Sequence, residues 1–245
     1  MKLNYNKISK QYDDVREADV ELINKFLEEI TFDEETKILD FGCGTGNYTD
    51  KIKRLTNADV YGIEPSDGMR KKAITKNNKI IYKKGNHENI PFQDNFFNFI
   101  YMTDVIHHIP DIDVMFKEFK RILKKGGKIC IETESHEQIE KRFYVKYFPS
   151  TAIIDKARYP KINDIKNIVE ENGLIFIKSL TIGDASERTV DKKFLELVEK
   201  KGYSMFHLIP EKEFENGLHE LKKDLKEESF KVETSGDTLI WIEKI

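Results

Sequence analysis

Two acids, three glycines and a pair of histidines are the residues whose types and spacing could do chemistry. Asp40 precedes Gly42, Gly44 and Gly46 in Asp-Phe-Gly-Cys-Gly-Thr-Gly, and Glu64 follows eighteen residues after Gly46. Glycine accepts positive φ and puts no side chain between the backbone and a ligand, so three at alternate positions mark a sharp turn open to close approach. Carboxylates on either side of such a turn repel a pyrophosphate and suit a ligand that carries positive charge. Further on, Asp104-Val-Ile-His-His-Ile-Pro-Asp111 supplies His107 and His108, side chains able to exchange a proton near neutral pH.

The elements that must position these groups follow from pattern. The apolar run 38–41 reads as a buried parallel strand and 48–55 has helical character, giving strand, glycine loop, helix: the opening of a nucleotide-binding βαβ unit. The spacing G-x-G-x-G fits poorly to the dinucleotide pattern G-x-G-x-x-G, whose helix N-terminus faces a pyrophosphate. A second strand, 60–63, ends at Glu64, where a carboxylate can accept both ribose hydroxyls. Residues 80–82 form the third strand and 96–102 the fourth, which ends in Thr103-Asp104. Ligands of open α/β sheets sit outside the carboxyl ends of the strands, at the switch point, so the stretch from Asp104 is the expected floor of a site. Pro65-Ser-Asp begins a helix to about Lys76, and Pro110-Asp111 begins another that stops at Lys124-Lys-Gly-Gly127 before a fifth strand, 127–132.

Asp40 with its G-x-G-x-G closely resembles motif I of the class I S-adenosylmethionine-dependent methyltransferases, and the type 11, ubiquinone- and menaquinone-biosynthesis-like group in particular. Gly85-Asn-His-Glu-Asn-Ile-Pro-Phe92 is similar to the family's Gly-Asp-Ala-Glu-x-Leu-Pro-Phe, the His-His-Ile stretch has close relatives there, and Leu-Lys-Lys-Gly-Gly matches its Leu-Lys-Pro-Gly-Gly turn except at Lys125. The resemblance covers 38–131 and, less specifically, two final strands. It implies an α/β, Rossmann-like doubly wound sheet of seven strands, order 3-2-1-4-5-7-6 with strand 7 antiparallel. It also implies S-adenosyl-L-methionine as cofactor, leaving as S-adenosyl-L-homocysteine. The cofactor residues it implies are Asp40, Gly42, Gly44, Gly46, Glu64, Asn86, His87 and Thr103. Asn86 stands where the family has an acid, so its carbonyl oxygen could still pair with the adenine amino group; His87 either stacks on the base or points away. Tyr12-Asp-Asp-Val-Arg16 is similar to a family stretch that closes over the methionine end, with Tyr12 facing the sulfonium and Arg16 the carboxylate; ordinary helix initiation is the alternative.

Outside the motifs, 1–30 reads as an N-terminal helical cap, with Leu22, Ile23, Phe26 and Leu27 in an apolar stripe packed on the sheet edge. The remainder, 31–245, forms the methyltransferase domain, interrupted by insertions at 133–160 and 185–235 that are expected to make a substrate lid. The first is rich in aromatic residues, and Tyr144, Tyr147 and Arg158 are candidate substrate contacts, as is Asp104; packing of the insertion is the alternative for each. The second carries two helical stripes, Phe194, Leu195, Leu197, Val198 and Phe214, Leu218, Leu221, Leu225, separated by Pro210.

Composition narrows the function. Hydrophobic content of 39% supports a real core, and a net charge of −3 with 35% charged residues argues against a dedicated nucleic-acid binder. Two cysteines, Cys43 and Cys130, lack metal-ligand spacing, so no metal is expected. No apolar run reaches membrane-spanning length, and a cytoplasmic enzyme, monomer or homodimer, is the expectation. The expected reaction is methyl transfer to a small-molecule acceptor by in-line displacement. His107 or His108 either braces the next helix or takes the acceptor's proton. The rival readings are an RNA or protein methyltransferase and a non-catalytic S-adenosylmethionine-binding protein.

Overall fold

The computed structural model describes residues 18–225 and 229–245; Tyr12 and Arg16 lie outside the described residues. In chain order the elements are α1 (Val20–Glu29), β1 (Lys37–Phe41), α2 (Asn47–Leu55), β2 (Asp59–Ile63), α3 (Asp67–Lys76), β3 (Ile81–Lys83), β4 (Phe97–Thr103), α4 (Ile112–Ile122) and β5 (Leu123–Thr133). Then come α5 (His136–Lys141), α6 (Ser150–Arg158), α7 (Ile162–Glu171), β6 (Ile175–Val190), α8 (Lys192–Glu199), α9 (Glu211–Asp224) and β7 (Phe230–Glu243). The strands form one sheet in the order β3-β2-β1-β4-β5-β7-β6, with β7 antiparallel, as the sequence led us to expect.

The chain divides into two compact units. The described residues up to Thr133, with Ile162–Leu180 and Leu239–Ile245, make the sheet unit; Glu134–Lys161 and the described residues of Thr181–Thr238 make an insertion unit.

In the sheet unit, Ile38, Leu39, Phe97, Phe99, Ile100, Tyr101 and Met102 are all buried, a run that requires a sheet covered on both faces. Leu39, Ile100 and Met102 share a core with Met115, Phe116 and Phe119 of α4 and with Ile165 and Val169 of α7. Elsewhere in this unit the ring of Phe26 lies 5.4 Å from Phe99, 5.2 Å from Tyr101 and 6.2 Å from Trp241. Helix α1 therefore seats Phe26 on β4 and β7, inside the sheet, while its last turn reaches the edge strand β6 through the Glu29–Lys178 pair. Ser66 accepts the Met69 N–H and caps α3, leaving Pro65 outside the helix. Strand β5 starts as soon as α4 ends: Leu123 already pairs with Phe97, and the glycine turn expected as a helix stop is a bulge before Phe99 pairs with Lys128.

The insertion unit has a core of its own. Rings of Tyr144, Phe148, Phe194, Tyr203, Phe206 and Phe214 pack at centroid distances of 5.0 to 6.5 Å. Gly217 of α9 lets that helix close on them, since a Cβ there would stand 2.4 Å from Phe148 Cε1 and from the Tyr147 carbonyl oxygen. Within it Arg142 is buried, and its guanidinium donates to Glu134 at 2.8 Å and to Asp155 at 2.5 Å. Strands β6 and β7 are long, 16 and 14 residues, and extend beyond the sheet unit, β6 past 180 and β7 before 239. Their added parts are mostly exposed and polar, joined by Ser186–Thr234 and Lys231–Glu187 pairs.

Candidate active site

The glycine loop is built from left-handed backbone that glycine adopts freely and from ties to β2. Gly42, Gly44 and Gly46 all have positive φ, at 82°, 54° and 81°. The N–H groups of Gly42 and Cys43 donate to the Ile63 carbonyl at 2.8 and 3.0 Å, and Gly44 N–H donates to Glu64 Oε2 at 3.1 Å. These donors are spent inside the protein, which leaves them no capacity for a pyrophosphate. Glu64 also takes the Ser66 N–H on Oε1 at 2.7 Å. Burial raises its pKa, against the lowering effect of those two N–H groups and of Arg70. Its carboxylate therefore sits fixed at the tip of β2, with lone pairs left for ribose hydroxyls.

Asp40 lies beneath this loop. It is 2% exposed, and Oδ2 accepts from Thr49 Oγ1 at 2.6 Å and from Tyr101 Oη at 2.8 Å. Burial pushes its pKa up to about 7, with the two hydroxyls opposing and the charge of Glu64 adding to the rise. Asp40 thus anchors α2 and β4 under the loop. The sequence reading missed Thr49 and Tyr101.

Whether the loop suits an uncharged nucleoside end is answered by its empty volume. A Cβ built on Gly44 meets none of the described residues within 4 Å, so among them the loop's crest is open, whereas one on Gly42 would lie 2.5 Å from Val105 Cγ2. The Thr45 hydroxyl is buried without a partner among the described residues. Open crest, fixed carboxylate and spare hydroxyl fit an amino-acid nucleoside, with Glu64 to hold ribose.

Beyond β4 the chain turns at Asp104, a non-glycine residue at φ 58°. Its N–H donates to Glu132 Oε2 at 2.7 Å, and Thr103 pairs with Glu132 in the sheet. His107 and His108 occupy a short 3-10 turn, Ile106–His108, with ring centroids 4.0 Å apart. Neither caps α4: that cap is Asp111, which accepts the Val114 N–H at 3.1 Å. Tyr48, just past the loop, has its pKa raised by burial and further by Glu132 and Asp104, so these two acids stand near it.

After β3, Asn86 turns its side chain back on its own loop. Its Oδ1 accepts the Glu88 and Asn89 N–H groups, each at 3.0 Å, and its amide nitrogen donates to Glu88 Oε2 at 3.4 Å, so the carbonyl oxygen is committed to the loop and the second N–H of the amide is the group left to meet a base. His87 is half-buried beside it. In the insertion unit, Tyr147 donates to Asp224 at 2.6 Å, Arg158 pairs with Asp155 and Ser204, and Tyr144 is buried among rings. Among the described residues no His, Cys, Asp and Glu group could hold a metal ion, and no helix is long and apolar enough to cross a membrane.

This sheet order, with a glycine loop after β1 and an acid at the tip of β2, is the class I methyltransferase fold. Residues 39–131, which hold nearly all of β1 to β5, match the family model described as a methyltransferase domain. Demethylmenaquinone methyltransferase of Staphylococcus aureus is 34% identical over 122 residues, 46% of this chain and 50% of that protein; the chain spans about half the length of the curated relatives it matches. Among solved structures, one from Anabaena variabilis, described as a methyltransferase of an antibiotic biosynthesis pathway, has a TM-score of 0.75 at 21% identity, covering 94% of this chain and 99% of that one. Haemonchus contortus phosphoethanolamine N-methyltransferase 2, solved with phosphomonomethylethanolamine and S-adenosylhomocysteine, has a TM-score of 0.62 at 17% identity, covering 99% of this chain and 60% of that one. Together they support S-adenosylmethionine as the cofactor and an S-adenosylmethionine-dependent methyltransferase as the kind of enzyme.

Proposed function

We propose that the chain transfers a methyl group from S-adenosylmethionine to a small-molecule acceptor by in-line displacement. The observation that carries this reading is the open glycine crest beside Glu64, whose carboxylate is held by Gly44 and Ser66. When bound, S-adenosylmethionine supplies a methyl group already activated on a sulfonium. Glu64 would hold the ribose hydroxyls, the amide of Asn86 and the ring of His87 would meet the base, and Thr103 and Asp104 would border the sulfur end. Alignment of the acceptor is the protein's main task, since orientation can lower a barrier by roughly 7–11 kcal/mol. His107 or His108 is the local group able to take a proton from the acceptor nucleophile.

The similarity to demethylmenaquinone methyltransferase makes a reduced demethylated naphthoquinone the first acceptor to try. Purified protein incubated with methyl-labelled S-adenosylmethionine and that quinol is expected to yield labelled, methylated quinol; label appearing instead in added RNA or protein would contradict the small-molecule reading. Substituting His107 and His108 by Ala one at a time is expected to lower turnover at neutral pH with cofactor affinity retained. Unchanged turnover in both variants would remove them from the chemistry. Acceptor contact by Tyr144, Tyr147 or Arg158 predicts a raised KM for the quinol in the matching Phe or Lys variant.

A further inference from the structure

A residue held in left-handed backbone without being glycine calls for something that holds it there. Asp104 is such a residue, at φ 58°, and it sits at the switch point where β4 leaves the sheet. The group that holds it is Glu132, from the tip of the neighbouring strand. Glu132 is 7% exposed, stands opposite Thr103 in the β4–β5 register, and accepts the Asp104 N–H at 2.7 Å. The next residue, Val105, fills the space a side chain at Gly42 would need, with its Cγ atoms 2.5 and 2.8 Å from that Cβ position. The turn that Glu132 fixes is thus the surface against which the glycine loop is seated, and it leads directly into His107 and His108.

We infer that Glu132 is a positioning residue of the methyl-transfer site: by accepting the Asp104 N–H it locks the β4 turn in left-handed backbone and so seats Val105 against the glycine loop. The inference rests on the methyltransferase reading for its purpose, but the latch itself is a property of the sheet unit. A carboxylate is suited to the task because it stays an acceptor at neutral pH, and an N–H bond to an ionised acceptor is roughly twice as strong as one between neutral groups. Glutamine keeps an acceptor oxygen at the same reach; alanine does not. Glycine at position 104 adopts positive φ without steric cost, so in an Asp104→Gly background the turn no longer depends on the latch.

These properties define a cycle of variants: wild type, Glu132→Gln, Glu132→Ala, Asp104→Gly and the double variant Glu132→Ala/Asp104→Gly. S-adenosylhomocysteine is the calorimetric probe, because it lacks the sulfonium charge and so reports seating of the loop more than the charge at position 104. Glu132→Ala is expected to weaken its binding about tenfold in the wild-type background but less than about threefold in the Asp104→Gly background, each measured against its own parent, and Glu132→Gln to stay within about threefold of wild type. A packing role alone would make Glu132→Ala cost the same in both backgrounds, and a charge role alone would make Glu132→Gln as weak as Glu132→Ala; either result overturns the latch. Urea unfolding of the same five proteins reads the coupling without any ligand, with Glu132→Ala costing less stability in the Asp104→Gly background than in the wild-type one. Should wild type bind no S-adenosylhomocysteine, the functional reading fails, while equal unfolding costs in the two backgrounds would sink the latch separately.

Discussion

Glu64 and Asp40 are both acids beside one loop, yet their surroundings give them different work. Glu64 is fixed by two N–H groups at the tip of β2, whereas Asp40 is sealed under the loop against two hydroxyls. Asp40 has a pKa pushed up to about 7 from an ordinary 3.8, chiefly by burial. The folded chain then keeps a proton that the unfolded chain releases across that interval. The contribution of Asp40 to stability is therefore full below about pH 4 and is lost as pH rises through about 7. Urea unfolding at about pH 5 and about pH 8 is expected to show wild type losing stability relative to Asp40→Asn as pH rises; parallel behaviour of the two proteins would contradict the buried-proton account. Both acids could be read from the sequence because they flank the glycines at telling distances. The partners of Asp40 could not, since Tyr101 meets it only once β4 lies beside β1, and Thr49 only once the glycine loop turns α2 back over it. Glu132 escaped notice for a similar reason, although it lies next to the end of β5 just as Glu64 follows β2.

Within the loop element, glycines that look equivalent in the sequence do different things. Gly42 is needed for room: at φ 82° a Cβ would strike Val105, so Gly42→Ala is expected to lower stability by about 1–3 kcal/mol, as overpacking does. Gly44 faces open space, and Gly44→Ala should carry only the left-handed backbone cost of roughly 1–2 kcal/mol while placing a methyl where the ligand approaches. Measured side by side, Gly44→Ala is expected to lose proportionally more S-adenosylhomocysteine affinity than stability, and Gly42→Ala the reverse. In the insertion unit, Gly217→Ala drives a Cβ into the Phe148 ring and the Tyr147 carbonyl and is expected to cost about 1–3 kcal/mol in urea unfolding. An unchanged midpoint would mean that α9 can shift without penalty. Apolar periodicity revealed α8 and α9, whose Phe194, Leu197, Phe214 and Leu221 are buried. It did not reveal the outer parts of β6 and β7, because there six successive residues, 184–189, are exposed and polar or small, a pattern indistinguishable from a loop.

At the scale of the whole molecule, the parallel core and its switch point were legible because buried strands, glycine loop and strand-tip acids all sit within one short stretch of chain. The charged interior of the insertion unit was not, because buried Arg142 and Asp155 and half-buried Glu134 read in sequence as three solvated charges until the fold brings them together. Its aromatic residues likewise pack on one another across a long separation in the chain. The residues assigned to the cofactor, from the glycine loop to the β4 turn, all belong to the sheet unit. Their donors are turned inward to β2 and Glu64, and this distinguishes a site for a positively charged nucleoside from one for a pyrophosphate. Isothermal calorimetry of the purified chain with S-adenosylmethionine, S-adenosylhomocysteine and a nicotinamide dinucleotide tests that distinction most directly. Saturable one-site binding of the first two with no heat from the dinucleotide is the predicted result; binding of the dinucleotide with no heat from either sulfur nucleoside would contradict it.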